Sequence, residues 1–124
     1  MEKTILIIED NQQDQKIITR ILKNAGIDQV IIADNAEAGL ENARKHKPDL
    51  IILDLMLPQM DGHQFCDALK KDTEHKNIPI LMLTGREDFH NMKKGFDTGV
   101  DAYVVKSFKK KETLIGIIRG LLGE

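Results

Sequence analysis

Five apolar runs of strand length set the terms on which this chain folds: TILIIE (4–9), QVIIA (29–33), LIILD (50–54), PILMLT (79–84) and AYVVK (102–106). Each is rich in β-branched residues and nearly continuous in apolar character. A strand covered on both faces reads this way, whereas a half-solvated strand alternates. Between the runs lie stretches with helical spacing. Strand and helix in strict alternation imply right-handed crossovers, hence a parallel sheet with helices on both faces. The fold class predicted is α/β: a single doubly wound sheet of five parallel strands with five helices.

The helical stretches are read from the positions of their apolar residues. Ile17, Ile18, Ile21, Leu22 and Ala25 are placed on one face of a first helix that Gly26 ends. Asn35 caps a second, with Ala36, Leu40 and Ala43 inward and Pro48 beyond its end. Phe65, Cys66 and Leu69 mark a third. Phe89, Met92 and Phe96 mark a fourth that closes near Gly99. Leu114, Ile117, Ile118, Leu121 and Leu122 mark a fifth. With 124 residues, 41% hydrophobic and 31% charged, the chain has the size of one globular domain with a real core. No linker, internal repeat or low-complexity segment divides it. The expectation is one stand-alone domain over 1–124, with no output domain.

A formal net charge of −2 gives no electrostatic case for direct contact with nucleic acid or a membrane surface. One cysteine, Cys66, allows neither a disulfide framework nor a thiolate metal site. It is expected as a small core residue in a chain of the reducing cytoplasm. The apolar stretch of MEKTILIIED is too short for a secretion signal and runs straight into acids. No apolar run reaches the length of a membrane span. The four histidines, His46, His63, His75 and His90, show no ligand spacing and are expected on the surface.

The strand interiors carry almost no polar residues, but the strand ends do. Glu9 and Asp10 close the first run, Asp54 the third, Thr84 the fourth and Lys106 the fifth. In open α/β sheets, ligands bind in the crevice beyond the carboxyl ends of the strands. Asp54, an odd carboxylate in the greasy run LIILDLMLPQMDG, therefore belongs at the mouth of a cleft. Glu9, Asp10 and Asp54 converging there repel one another unless a cation neutralises them. The donors are all hard oxygens, which suits Mg²⁺, or Mn²⁺ in its place, and not zinc. Lys106 supplies a compact positive charge for a phosphoryl oxygen. Thr84 offers a hydroxyl, and Gly85 beside it leaves room for an incoming group.

In order, IIED, LIILDLMLPQMDG, IPILMLTG and GVDAYVVKSF resemble the receiver domain of two-component response regulators. The resemblance covers the whole chain. It implies a flavodoxin-like sheet of order 2-1-3-4-5. It also implies that Asp54 accepts a phosphoryl group, and that Glu9, Asp10, Asp54 and the Met56 backbone carbonyl hold magnesium. Thr84 and Lys106 would follow the phosphoryl group, and Tyr103 would be the aromatic switch residue. Pro58 and Gly62 match the turn after the phosphoacceptor, and by the same resemblance Met56 and Arg86 would flank the path of hydrolytic water. The implied function is a phosphorylation-activated switch, loaded by a histidine kinase or phosphotransfer protein. Its downstream protein target would bind the fourth helix, fifth strand and fifth helix, where Lys93 and Lys109–Lys111 lie. The domain would be a monomer or a weak, phosphorylation-dependent homodimer.

Two positions depart from the family pattern. Glu9 stands where many relatives have Asp, keeping the charge on a longer arm. Ser107 stands where a proline in a cis peptide is usual. A non-proline cis bond costs roughly 2.5–4 kcal/mol, so the Lys106–Ser107 peptide is either cis under strain or trans. A phosphorylation-independent interaction module is the alternative. Enzyme readings fit poorly. An aspartyl phosphatase wants an acid at position 56, where Met56 stands. A mononucleotide binder wants a glycine-rich loop where this chain has EDNQQDQ.

Overall fold

The computed structural model describes residues 2–55, 57, 60–72, 74–85, 99–106 and 110–124. Five strands, β1 (Thr4–Ile8), β2 (Gln29–Ala33), β3 (Leu50–Asp54), β4 (Ile80–Thr84) and β5 (Ala102–Val105), form one sheet of order β2-β1-β3-β4-β5. Every pairing is parallel. β3 and β4 are buried at every residue, as continuous apolar runs at the centre of a doubly covered sheet require. β2 and β5 are the edges, and Ile32 on β2 is accordingly 43% exposed.

Among the described residues four helices accompany them: α1 (Gln12–Asn24), α2 (Ala36–His46), α3 (Gly62–Lys70) and α4 (Lys111–Leu121). α4 is the fifth helix of the sequence reading. The fourth, with Phe89, Met92 and Phe96, lies outside the described residues, as do Met56, Pro58, Arg86, His90, Lys93, Ser107 and Lys109. Among the described residues no helix is long and apolar enough to cross a membrane.

The pleat divides the core in two. Ile5, Ile7, Leu50, Ile52, Leu81 and Leu83 meet Ile18, Leu22, Leu114 and Ile118 of α1 and α4. The alternate residues Leu6, Ile8, Ile51, Leu53, Ile80 and Met82 meet Ala36 and Ala43 of α2 and Phe65, Cys66 and Leu69 of α3. α2 comes so close to β1 that a Cβ on Gly39 would stand 2.5 Å from Ile8 Cδ1.

The helix ends are chemically marked. Asn11 and Asn35 cap α1 and α2, taking the amides of Asp14 and Ala38. Asp61 caps α3 in a reciprocal box with Gln64, which satisfies two otherwise orphaned donors. α4 begins at Lys110 without a side-chain cap.

Three sequence expectations are corrected. Ile17 is 38% exposed, because the buried stripe of α1 centres on Ile18, Ile21 and Leu22 and leaves Ile17 at its margin. His63 and His75 are buried, at 4% and 3% exposure. His63 falls one helical turn before Cys66 on the inner face of α3. His75 Nδ1 bonds Asp72 Oδ2 at 2.8 Å, and the same oxygen lies 3.4 Å from Arg44 Nε of α2. That carboxyl is held below the usual range, first by the His75 bond. His46 is exposed as expected.

Candidate functional site

Strand parity decides which side chains meet beyond the carboxyl ends. Glu9 continues the alternation of Ile5 and Ile7, Asp54 that of Leu50 and Ile52, and Lys106 that of Ala102 and Val104. All three sets belong to the face covered by α1 and α4, since side chains two apart share a face. The register places β1, β3, β4 and β5 so that these ends are neighbours. Asp54 pairs with Leu83, and Thr84 with Val105.

The result is a compact group of acids around one ammonium. Ligand oxygens of Glu9, Asp10 and Asp54 lie within 4.8 Å of one another. Glu9 and Asp54 are buried and Asp10 is exposed. Lys106 Nζ bonds Glu9 Oε1, lies 2.9 Å from Asp14 Oδ2 and 3.4 Å from Asp54 Oδ2. The Lys106 amide donates to the Thr84 carbonyl, which ties the end of β5 to that of β4. The far side of the site is pinned by Gln15, whose Nε2 donates to the Glu9 carbonyl at 2.6 Å and to Asp34 Oδ1 at 2.8 Å.

Ionisation follows from who faces whom. Burial pushes the Glu9 carboxyl up to about 7; the Lys106 bond pulls it back and Asp54 adds to the rise. Burial alone would depress the Lys106 ammonium, but Glu9 and Asp14, with Asp54 behind them, outweigh it and hold it raised. The two partners differ because several acids outweigh burial at Lys106, whereas at Glu9 one cation only partly offsets burial and the neighbouring carboxylates.

The donor set tests well against a magnesium-type cation. It is all oxygen, carries more negative charge than Lys106 balances, and opens to solvent at Asp10. Hard divalent cations that keep several waters favour such sites. The expected contribution of the Met56 carbonyl lies outside the described residues.

Thr84 is buried. Among the described residues, a Cβ on Gly85 would meet nothing within 4 Å. Tyr103 is half-buried against the cluster on the α2 and α3 face, with the opposite parity from Lys106. Gly62 opens α3 where a Cβ would stand 3.0 Å from Met82 Cε and 3.1 Å from Leu55 Cα. The turn after Asp54 therefore leaves little room for a side chain at this position. Two contributors escaped the sequence reading, Asp14 and Gln15. An acid in the first turn of a helix already has a local explanation in the macrodipole, so nothing marked Asp14 as reaching across to Lys106.

Fold and site together define a doubly wound α/β domain with an acid-and-lysine centre at its switch point. The sequence profile of the response regulator receiver domain matches residues 5–119. The DNA-binding response regulator MtrA of Mycolicibacterium smegmatis is 38% identical over 122 residues, which are 98% of this chain and 51% of that protein. A solved structure from Chloroflexus aurantiacus, assigned as a response regulator, matches with TM-score 0.93 and 30% identity over 100% of both chains. The phosphorylated cyanobacterial phytochrome response regulator RcpA matches with TM-score 0.82 and 28% identity, over 98% of this chain and 91% of that one. The chain belongs to the response regulator receiver domain family of two-component signalling. It spans about half the length of the curated relatives it matches.

Proposed function

We propose that this domain is a phosphorylation-activated switch whose phosphoacceptor is Asp54. The observation that carries the reading is the position of that carboxylate, at the end of a fully buried central strand with Lys106 Nζ 3.4 Å away. A carboxylate oxygen of Asp54 attacks the phosphorus of a phosphohistidine on a histidine kinase or phosphotransfer protein. The new O–P bond forms as the P–N bond breaks, and the electron pair returns to the ring nitrogen of the donor. The product is an acyl phosphate, and the chain contributes mainly positioning and charge neutralisation. Glu9, Asp10 and Asp54 would hold Mg²⁺, or Mn²⁺ in its place, which would supply positive charge to offset that of the incoming phosphoryl group.

Phosphorylation adds negative charge at Asp54. Lys106, already within reach, is drawn toward it, and the Thr84 hydroxyl closes over the phosphoryl oxygens. Lys106 and Thr84 are joined through the backbone of β4 and β5, so their movement reaches Tyr103 and the surface of β5 and α4. That surface, with Lys110 and Lys111, is the proposed contact for a downstream protein. The phosphorylated form of RcpA supports the reading by likeness. The domain is proposed to work in the cytoplasm without binding nucleic acid itself, as a monomer or a weak, phosphorylation-dependent homodimer. Its own catalysis is confined to gain and loss of its phosphoryl group.

Incubation with acetyl phosphate and Mg²⁺, followed by intact mass measurement, tests this. Wild type gains one phosphoryl group and Asp54→Asn gains none. A variant that still gains the mass would place the acceptor elsewhere.

A further inference from the structure

Lys106 has two kinds of partner. Glu9 and Asp54 belong to the group of acids that would hold a divalent cation. Asp14 does not belong to that group, yet its Oδ2 is nearer to Nζ, at 2.9 Å, than Asp54 Oδ2 at 3.4 Å. Asp14 occupies the third position of α1. An acid there commonly turns back to the N-cap amide. In α1 the amide of Asn11 is taken by Glu9 Oε2 at 3.2 Å, while Asn11 Oδ1 takes the Asp14 amide at 2.9 Å. The Asp14 backbone is thereby fixed and its carboxylate is left to face Lys106. A quarter of that side chain is open to solvent, against 2% for Glu9, so Asp14 lies on the outer side of the ammonium.

We propose that Asp14 is a positioning residue that gives the Lys106 ammonium a second seat, outside the cation-binding acids. The inference rests on the reading of Glu9, Asp10 and Asp54 as a magnesium site. Among the described residues Lys106 is the cation that faces these acids, and it competes for Glu9 and Asp54 with any incoming ion. Asp14 draws Nζ outward, so that Glu9 can be released without Lys106 leaving the mouth of the cleft. Deprived of Asp14, the ammonium keeps Glu9 and Asp54 as its acidic partners among the described residues and resists displacement.

Calorimetric titration with Mg²⁺ alone, on wild type, Asp14→Asn, Lys106→Met and the double variant, tests this. Asp14→Asn should weaken magnesium binding about 3- to 10-fold in the wild-type background, and by less than about 2-fold when Lys106 is already Met, as coupled residues behave. An equal loss in both backgrounds would mean that Asp14 acts through its bare charge or through the fold, and would overturn the proposal. So would wild-type affinity in Asp14→Asn. Wild type that takes up no magnesium would overturn the metal-site reading and this inference with it. Failure of the inference alone is recognised by intact binding in wild type.

Discussion

Replacing Glu9 with Gln should flatten the pH dependence of folding that the site imposes. Glu9 is 1% exposed, and its carboxyl is pushed from an ordinary 4.5 up to about 7, mainly by burial. Between those values the unfolded chain is ionised while the folded chain still holds the proton, so folding takes up a proton. The stabilisation is fully present below about pH 4.5, falls as pH rises, and is gone above about 7. The gap is worth about 3 kcal/mol, at roughly 1.4 kcal/mol per pH unit. Gln keeps the shape of the protonated acid and cannot ionise. Its weaker bond to Lys106 adds an offset that varies little with pH, so the quantity to compare is the change of the stability difference across pH.

Urea unfolding in the presence of EDTA, followed by far-ultraviolet circular dichroism from about pH 4.5 to about pH 8, measures it. Wild type should lose about 3 kcal/mol relative to Glu9→Gln over that range, with the loss levelling near 7. Saturating magnesium at neutral pH should stabilise wild type more than Glu9→Gln, because a ligand of the folded state stabilises most the chain that binds it best. Parallel stability curves for the two proteins would refute the reasoning, since they would mean Glu9 ionises in the folded chain as it does in the unfolded one.

Gly39→Ala should cost about 1–3 kcal/mol by overpacking, since its Cβ would stand 2.5 Å from Ile8 Cδ1. Gly116→Ala on α4, where a Cβ meets nothing within 4 Å among the described residues, should instead stabilise by about 0.5–1 kcal/mol; unfolding midpoints of the two variants moving in opposite directions check both. Lys110→Glu with Lys111→Glu, at the start of α4, should raise thermal stability by about 0.3–1 kcal/mol for each charge, while leaving phosphorylation of Asp54 intact. Unchanged or lowered stability would show that these lysines have a structural role that the macrodipole argument omits.

The sheet was legible in the sequence because burial on both faces leaves no polar residue inside a strand. The expected runs and observed strands agree within a residue at each end. The acids and the lysine were legible for the complementary reason: a polar residue closing such a run has to face a cleft. Asp14 was not legible, because its role depends on a partner 92 positions away that no local pattern announces. The buried histidines divide. His63 sits on the inner stripe of α3, in step with Cys66, and periodicity carried that signal. His75 lies in a turn, where burial follows from the Asp72 bond and the approach of Arg44, neither of which leaves a periodic trace.

The charge balance at the strand ends connects stability to function. Glu9, Asp14 and Asp54 face one ammonium and Asp10 adjoins Glu9 and Asp54, so among the described residues four acids share one cation. Hydrophobic substitution at such a cluster would suit folding better, since buried ionic groups rarely stabilise in proportion to their number. The surplus has a use only if a further cation and a phosphoryl group complete the set. The outermost acid then matters as much as the innermost. Glu9 sets how strongly the cleft attracts positive charge, and Asp14 sets how readily the resident ammonium yields its place. A domain with only the first would hold Lys106 fast and respond weakly. With both, a small shift of one side chain between two anionic seats would separate the resting site from the loaded one, at the point where the Lys106 amide is bonded to the Thr84 carbonyl of β4.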